Sequence, residues 1–145
     1  MTDVRRPLEY HEMMERLKDN EEGVFLTFKD CLVFCACLGH SEGRRVEFDK
    51  SAERVPMTVF RGEYDEAVIN AIALVTTNDP TIMGVNRQAE RIRIFEEYAC
   101  GGLEILKARV FNTPESYSDA MMTLIQQGSE DGGSKVLDDI TNLFG

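Results

Sequence analysis

Apolar residues recur at helical spacing along most of the chain, and turn-forming residues separate the recurring stretches. Near the start, Pro7 stands where a first helical turn begins and Gly23 lies beyond its end. The charged residues between them leave one apolar side, made of Leu8, Met13, Met14 and Leu17. The pattern predicts a short amphipathic helix from about residue 8 to residue 19.

The stretch from Cys31 to Leu38 is apolar on every helical face, which is typical of a helix buried at the centre of a fold. Thr27 and Asp30 stand at the spacing of a capping box, in which each side chain satisfies a free backbone amide at the helix start. Gly39 follows where a left-handed C-cap is expected. We therefore expect these residues to form the core helix.

Between residues 44 and 61 the spacing changes from helical to alternating. Val46 and Phe48 alternate with polar neighbours, and a second apolar group follows a polar connection: Val55, Met57, Val59 and Phe60. Alternation is typical of strands, and a proline such as Pro56 is confined to the edge of a sheet. The pattern predicts two short strands or an extended arm. We expect a small β-ribbon insertion near residues 44–61, packed on helices because an isolated ribbon is only marginally stable.

Three more helices are predicted after the ribbon. The first stops at Asn78–Pro80, and the second begins with Asn86 as its N-cap and runs to about Phe111. The third has Thr113 as its cap and Pro114 in its first turn. The predicted fold is therefore mainly α-helical, a single compact domain of about five helices over residues 1–127 with the ribbon inserted near residues 44–61.

Residues 128–145 differ in character, because a Gly/Ser-rich connection precedes a short amphipathic segment. The apolar positions of this segment fall at helical spacing and are Val136, Leu137, Ile140, Leu143 and Phe144. Two interpretations stay open. The segment is either a last helix that folds back on the domain or a tethered segment that binds in a groove of a partner protein.

The predicted long helix contains two adjacent glycines, Gly101 and Gly102, each of which costs about 1 kcal/mol relative to alanine. Its apolar stripe narrows from Phe95 to Ala99 to Gly102. The narrowing predicts a helix-packing notch, formed by Ala99, Gly101 and Gly102, at which the core helix crosses closely. A hinge is the alternative, since small residues also mark kinks. A phosphate-binding role is not favoured, because glycines inside a helix lack the free amides of a helix N-terminus.

Composition and charge narrow the function. With 43% hydrophobic and 29% charged residues, the chain has ordinary globular composition. Its net charge of −10 argues against nucleic-acid binding by overall charge, since phosphate contacts rely on Lys and Arg. The first residues lack the apolar region of a signal peptide, and no run of about 18 apolar residues occurs. We expect a cytoplasmic protein without membrane contact.

The basic residues suggest a local exception to this acidity. A positive patch would form if six arginines converged: Arg44, Arg45, Arg54, Arg61, Arg91 and Arg93. The alternative is that each pairs separately with one of the many acids, as exposed ion pairs commonly do. Adjacent acids such as Glu96 and Glu97 point in different directions on a helix, and we expect them to face solvent.

The clustered cysteines offer little chemistry. Cys31, Cys35 and Cys37 lie within seven residues, with His40 close behind. A zinc site needs four ligands, usually two spaced pairs, whereas the apolar neighbours favour packing as small hydrophobic residues. A pair formed by Cys37 and His40 would suit nucleophilic catalysis but has no orienting third group. We therefore assign no catalytic, metal-binding or cofactor-binding residue.

Four segments together resemble one known family. They are "FKDCLVFCACLG", "GRRVEF", "YDEAVINAIAL" and "ERIRIFEEYACGGLEILK", and they resemble the small Dnd system-associated protein 4 family. Members of that family accompany bacterial DNA phosphorothioation and its restriction partners. The resemblance covers roughly residues 5 to 110, and "RIRIFEEYACGGLEIL" is its most specific part. It implies a setting in bacterial defence by sulfur modification of DNA, and it carries over no catalytic residues.

The leading hypothesis is thus a non-enzymatic accessory or regulatory component of a phosphorothioation-linked, antiphage restriction system. It would act through contacts with the protein components of that system. Direct DNA binding through the six arginines is the second hypothesis, and a small enzyme with a Cys–His site is a third and weaker one. Homodimer formation stays an open alternative.

Overall fold

The computed structural model describes residues 3–60 and 64–127. Five helices form most of this part of the chain: α1 (His11–Lys18), α2 (Phe28–Ser41), α3 (Asp65–Thr77), α4 (Gln88–Leu106) and α5 (residues 117–127). The prediction of a mainly α-helical fold of about five helices is confirmed. The predicted amphipathic segment after residue 128, as well as Arg61, lies outside the described residues.

Helix α4 is the centre of the core. Most of its residues are buried, because α2 packs along one side of it and α3 along another, while α1 packs on α2. The ring of Phe95 meets the ring of Phe60 edge-on, with centroids 5.8 Å apart. A wider π-helical turn, Lys107–Phe111, continues α4, so the helical path ends where the sequence predicted.

Helix α2 is longer than predicted. At its start, the Asp30 N–H donates to the Thr27 hydroxyl at 3.1 Å, which is the Thr27 half of the predicted capping box. At its other end, the prediction of Gly39 as a left-handed cap is wrong, because α2 continues to Ser41 with Gly39 buried against α4. The left-handed conformation belongs to Gly43, whose φ is 67°.

The predicted β-ribbon near residues 44–61 is wrong. Within the described residues of this segment, antiparallel pairing is limited to two isolated bridges, Val4 with Val55 and Pro7 with Ser51. The N-terminal residues thus pair with the segment that was expected to pair with itself. A 3-10 turn, Met57–Phe60, stands where the alternating pattern had suggested a strand. Its first and last side chains are buried.

Two predicted helix starts are also wrong. Asn86 lies inside a 3-10 turn, Val85–Arg87, and α4 begins at Gln88. Thr113 closes the preceding helix instead of starting the next one, because its hydroxyl donates to the Val110 carbonyl oxygen at 3.2 Å. Helix α5 starts after Ser116, whose hydroxyl accepts from the Asp119 N–H at 3.2 Å.

Candidate functional site

Helices α2 and α4 cross at glycines contributed by both. A Cβ atom on Gly102 would overlap the carbonyl oxygen of Cys35 in α2, and one on Gly39 would overlap the carbonyl oxygen of Tyr98 in α4. Each helix therefore receives the backbone of the other at a position without a side chain. Neither glycine could carry even an alanine side chain unless the backbones moved apart.

The other two residues of the predicted notch have different neighbours. A Cβ atom on Gly101 would overlap the carbonyl oxygen of Arg44, in the connection that leaves α2, and Ala99 is fully buried. The Arg44 N–H also donates to the Gly39 carbonyl oxygen at 2.7 Å. The small residues of α4 thus contact both α2 and the chain that follows it. Sequence reasoning missed Gly39 because its position also suited a helix cap.

Glu96, in the middle of α4, is almost completely buried and is held by Arg5. The Arg5 backbone N–H donates to one carboxylate oxygen at 2.6 Å, and Arg5 Nε donates to the other at 3.0 Å. The same guanidinium lies over the Phe48 ring, 4.5 Å from its centroid. Burial raises the pKa of Glu96 above its ordinary value, although the hydrogen bonds from Arg5 act against that rise.

Glu97 is also buried, but it binds other arginines. Arg45 Nε donates to Glu97 Oε1 at 2.7 Å, and Arg93 Nε lies 4.0 Å from Oε2. The Glu97 carbonyl oxygen accepts from the Val46 N–H at 3.0 Å. The expectation that these adjacent acids face solvent is wrong, because the N-terminal residues and the segment after α2 cover this part of α4.

The six arginines of the predicted patch occupy several different places. Arg45 and Arg93 meet at Glu97, and Arg44 forms an ion pair with Glu104 further along α4. Among the described residues, three of the six are thus engaged with glutamates of one helix.

The remaining arginines lie elsewhere. Arg91 donates to the carbonyl oxygens of Ile82 and Gly84, at 2.8 Å each, and so holds the turn between α3 and α4. Arg54 lies close enough to Glu96 to lower its pKa, against the larger effect of burial, and it also lines a pocket beside the start of α2. Arg61 lies outside the described residues.

Cys31, Cys35 and Cys100 are buried, as packing predicts, whereas Cys37 is exposed. Burial raises the pKa of Cys35 and Cys37 and raises that of Cys100 to about 11. These thiols therefore stay protonated at neutral pH, whereas thiolates are the nucleophiles and metal ligands. The His40 ring packs edge-on against Tyr98. No group of three or more His, Cys, Asp or Glu side chains in the described ranges could hold a metal ion.

Sequence reasoning missed two residues that the structure places at important positions. Arg5 binds Glu96, and Arg6 is only 1% exposed. The two arginines directly precede Pro7, and no motif in the sequence assigns them a partner. The only signal in the sequence for a role of this pair was its position. Two arginines next to an apolar helix must either face solvent or find partners in the fold.

Comparison with known proteins places the chain in a family. In the part of the chain that the structure describes, no helix combines the length and apolar character needed to cross a bilayer. No curated protein and no solved structure matches the chain. One family model, described as DNA sulphur modification system-associated protein 4, matches residues 3–142 and so extends beyond the resemblance expected from the sequence. This match confirms that resemblance, and the chain belongs to the DNA sulphur modification system-associated protein 4 family.

Proposed function

We propose that the protein is a non-enzymatic accessory or regulatory component of a bacterial, phosphorothioation-linked defence system. It acts by binding other proteins of that system. The family match supports association with DNA sulphur modification. One exposed apolar surface supports the further step from association to protein contacts.

That surface surrounds the connection from α3 to α4. Four large apolar side chains are exposed there, Val85 by 93% and Val75 by 66%, and we call the group the α3–α4 corner: Leu74, Val75, Met83 and Val85. The turn Pro80–Met83 packs against both helices, and the hydrogen bonds of Arg91 hold it. A fixed surface with grouped apolar side chains is typical of a protein-binding site.

The arginines favour protein contacts over DNA binding. Arg44, Arg45 and Arg93 are each paired with a glutamate, so a DNA phosphate would have to compete with carboxylates of the same chain. The net charge of −10 would also repel a polyanion at long range. A neutral or basic surface on a partner protein would neither compete with these carboxylates nor be repelled by the net negative charge.

Co-purification from the native host tests the proposal. The full-length tagged protein should bring down protein components of the DNA sulphur modification system, and a Val75→Glu/Val85→Glu double variant should lose them. Leu26→Glu is the matched control, because Leu26 is 87% exposed but lies before α2, away from the corner. Equal capture by the double variant and wild type would contradict a role for the corner.

Two further arms separate the alternatives. Deletion of residues 128–145 tests the predicted binding segment, and loss of capture only in this variant would move the contact to that segment. A gel-shift assay with duplex DNA at about 50 mM salt tests the arginine hypothesis. Salt-sensitive DNA binding that is lost in an Arg45→Gln/Arg93→Gln variant, without any captured protein, would replace the proposal with direct DNA binding.

A further inference from the structure

A pocket of about 390 Å³ opens between the end of α1, the start of α2 and residues 53–59. One acidic residue, Glu53, lines the pocket. The basic residues that line it are Arg6, Lys18, Lys29 and Arg54. The rest of its wall includes apolar side chains of Phe28, Val55, Pro56 and Val59. The chain as a whole has a net charge of −10, so the pocket is a local region of positive charge on an acidic protein.

Arg6 is the buried cation of the pocket. Its Nε donates to the Glu53 carbonyl oxygen at 2.9 Å, and its Nη1 lies 3.1 Å from His11 Nδ1. Its guanidinium carbon lies 3.9 Å from the centroid of the Phe28 ring. Arg6 forms no ion pair with any carboxylate in the described ranges. The hydrogen bonds of its side chain within these ranges involve Nε and Nη1, and the residue lines the pocket.

A guanidinium in this position is a binding group without its counter-ion. Arginine stays charged inside proteins, and a buried charge without an ionic partner is costly. Burial lowers the pKa of Arg6, although the carboxylates of Glu53 and Glu15 act against this at longer range. An anion in the pocket would supply the missing charge.

The surroundings add further attraction for an anion. The first turn of the 14-residue α2 lies at the pocket, with the positive end of its dipole directed there. Lys18 Nζ lies 4.3 Å from the centroid of the Phe28 ring, and Arg54 lines another part of the wall. Lys29 contributes less, because it is paired with Asp65 at 2.8 Å.

We propose that this pocket binds a small phosphate-bearing molecule of about mononucleotide size. Arg6 and the start of α2 hold the phosphate, and Val55, Pro56 and Val59 cover the body of the ligand. The basic side chains line one small pocket instead of an extended groove, which suits a single phosphate group, whereas a nucleic-acid strand needs a track of cations along its backbone. The volume lies in the range of small-molecule sites, about 300 to 1,000 Å³, and exceeds what inorganic phosphate alone would fill.

Calorimetric titration of the full-length protein tests this site with AMP, inorganic phosphate and a short DNA duplex as probes. AMP should bind in a saturable manner and more tightly than phosphate. Arg54→Gln and Lys18→Gln should each weaken AMP binding roughly tenfold, because each removes a charged contact. Arg109→Gln is the control, since Arg109 is paired with Glu42 outside the pocket, and it should bind AMP like wild type.

Arg6→Lys keeps the charge but loses the fork of donors, so it should weaken binding at least as much as the rim variants. Its circular-dichroism spectrum reports whether it folds, and if it does not, the rim variants still test the site. Absence of AMP binding at about 10 mM overturns the proposal, as does binding that neither rim variant changes. Binding of the duplex without binding of AMP also overturns it. The purified protein alone suffices, so the result is independent of the co-purification experiment.

Discussion

The two ends of α2 are held in opposite ways. At the C-terminal end, Gly39 lies against the backbone of α4, and no space remains for a single added carbon. At the N-terminal end, the Phe28 ring is in contact with the cations of Arg6 and Lys18, beside an open pocket. Close packing fixes the C-terminal end, whereas the N-terminal end has a buried charge and a pocket beside it. One helix can therefore combine a tightly packed end with an end that solvent can reach.

The largest expected effect comes from filling the close crossing of α2 and α4, where Gly102 meets the backbone of Cys35, one helical turn before Gly39. Gly102→Leu should unfold the domain or lower the free energy of unfolding by about 3 kcal/mol or more, because its side chain would displace the backbone of Cys35. Urea denaturation measures the change. Gly84→Ala is the control, since its Cβ would meet only the Thr81 carbonyl oxygen, at 3.2 Å. Wild-type stability of Gly102→Leu would contradict the close crossing.

The matching change at the open end should cost less. Arg6→Met should alter the free energy of unfolding by less than about 2 kcal/mol, because the lost hydrogen bonds and ring contact are offset by relief of a buried charge. The same denaturation experiment measures it. A loss as large as that of Gly102→Leu would show that both ends of α2 are structural, and the contrast between them would fail.

The cap at the start of α2 has a smaller expected effect. Thr27→Ala removes the acceptor of the Asp30 N–H and should lower the free energy of unfolding by about 1 kcal/mol. Thr27→Ser keeps the acceptor and should remain close to wild type. Equal loss in both variants would assign the effect to the threonine methyl group instead of the cap.

Glu96 should make stability depend on pH. Burial raises the pKa of Glu96 in the folded chain above its unfolded value of about 4.3, so the folded state binds this proton more tightly. Glu96 therefore stabilises the fold fully at pH values below its pKa in the unfolded chain. This stabilisation is lost as the pH rises through its pKa in the folded chain. Arg5→Met keeps the backbone hydrogen bond but removes the side-chain hydrogen bond and the positive charge, both of which oppose the rise, so it should raise the pKa of Glu96 further. Carboxyl NMR titration measures it, and a pKa lowered by Arg5→Met would contradict this account.

The smallest expected effect concerns Cys37, on the exposed side of α2 between its two ends. A thiol reagent at neutral pH should modify Cys37 alone among the four cysteines of the folded protein, because Cys31, Cys35 and Cys100 are buried. Burial of the sulfur raises the pKa of Cys37, so its reaction should be slower than that of an unhindered cysteine. Unfolded protein, in which all four cysteines should react, provides the reference. Equal labelling of Cys35 in the folded state would contradict the packed core.

The parts of the fold that sequence could predict are those encoded locally. The all-apolar stretch from Cys31 to Leu38 predicted a core helix, and the pair Gly101 and Gly102 predicted small-residue packing inside a long helix. The wrong predictions involve residues whose partners are distant. The ribbon failed because Val55 pairs with Val4, and Glu96 was expected in solvent because Arg5, its partner, lies 91 positions away. Periodicity reports which face is apolar, but it does not report which distant segment covers a charged residue.

The distance between Arg5 and Glu96 has a consequence for the order of events during protein synthesis. The N-terminal residues leave the ribosome first, but their partner in α4 is made 91 residues later. At about 5 to 20 residues per second, that interval is roughly 5 to 20 seconds. During it, Arg5 has no Glu96 to bind, and the chain exposes the apolar face of α2. The native fold therefore closes only after α4 has been synthesised, and in a nascent chain halted before residue 96 the N-terminal residues can pair with residues 51–55 while Arg5 lacks its carboxylate partner.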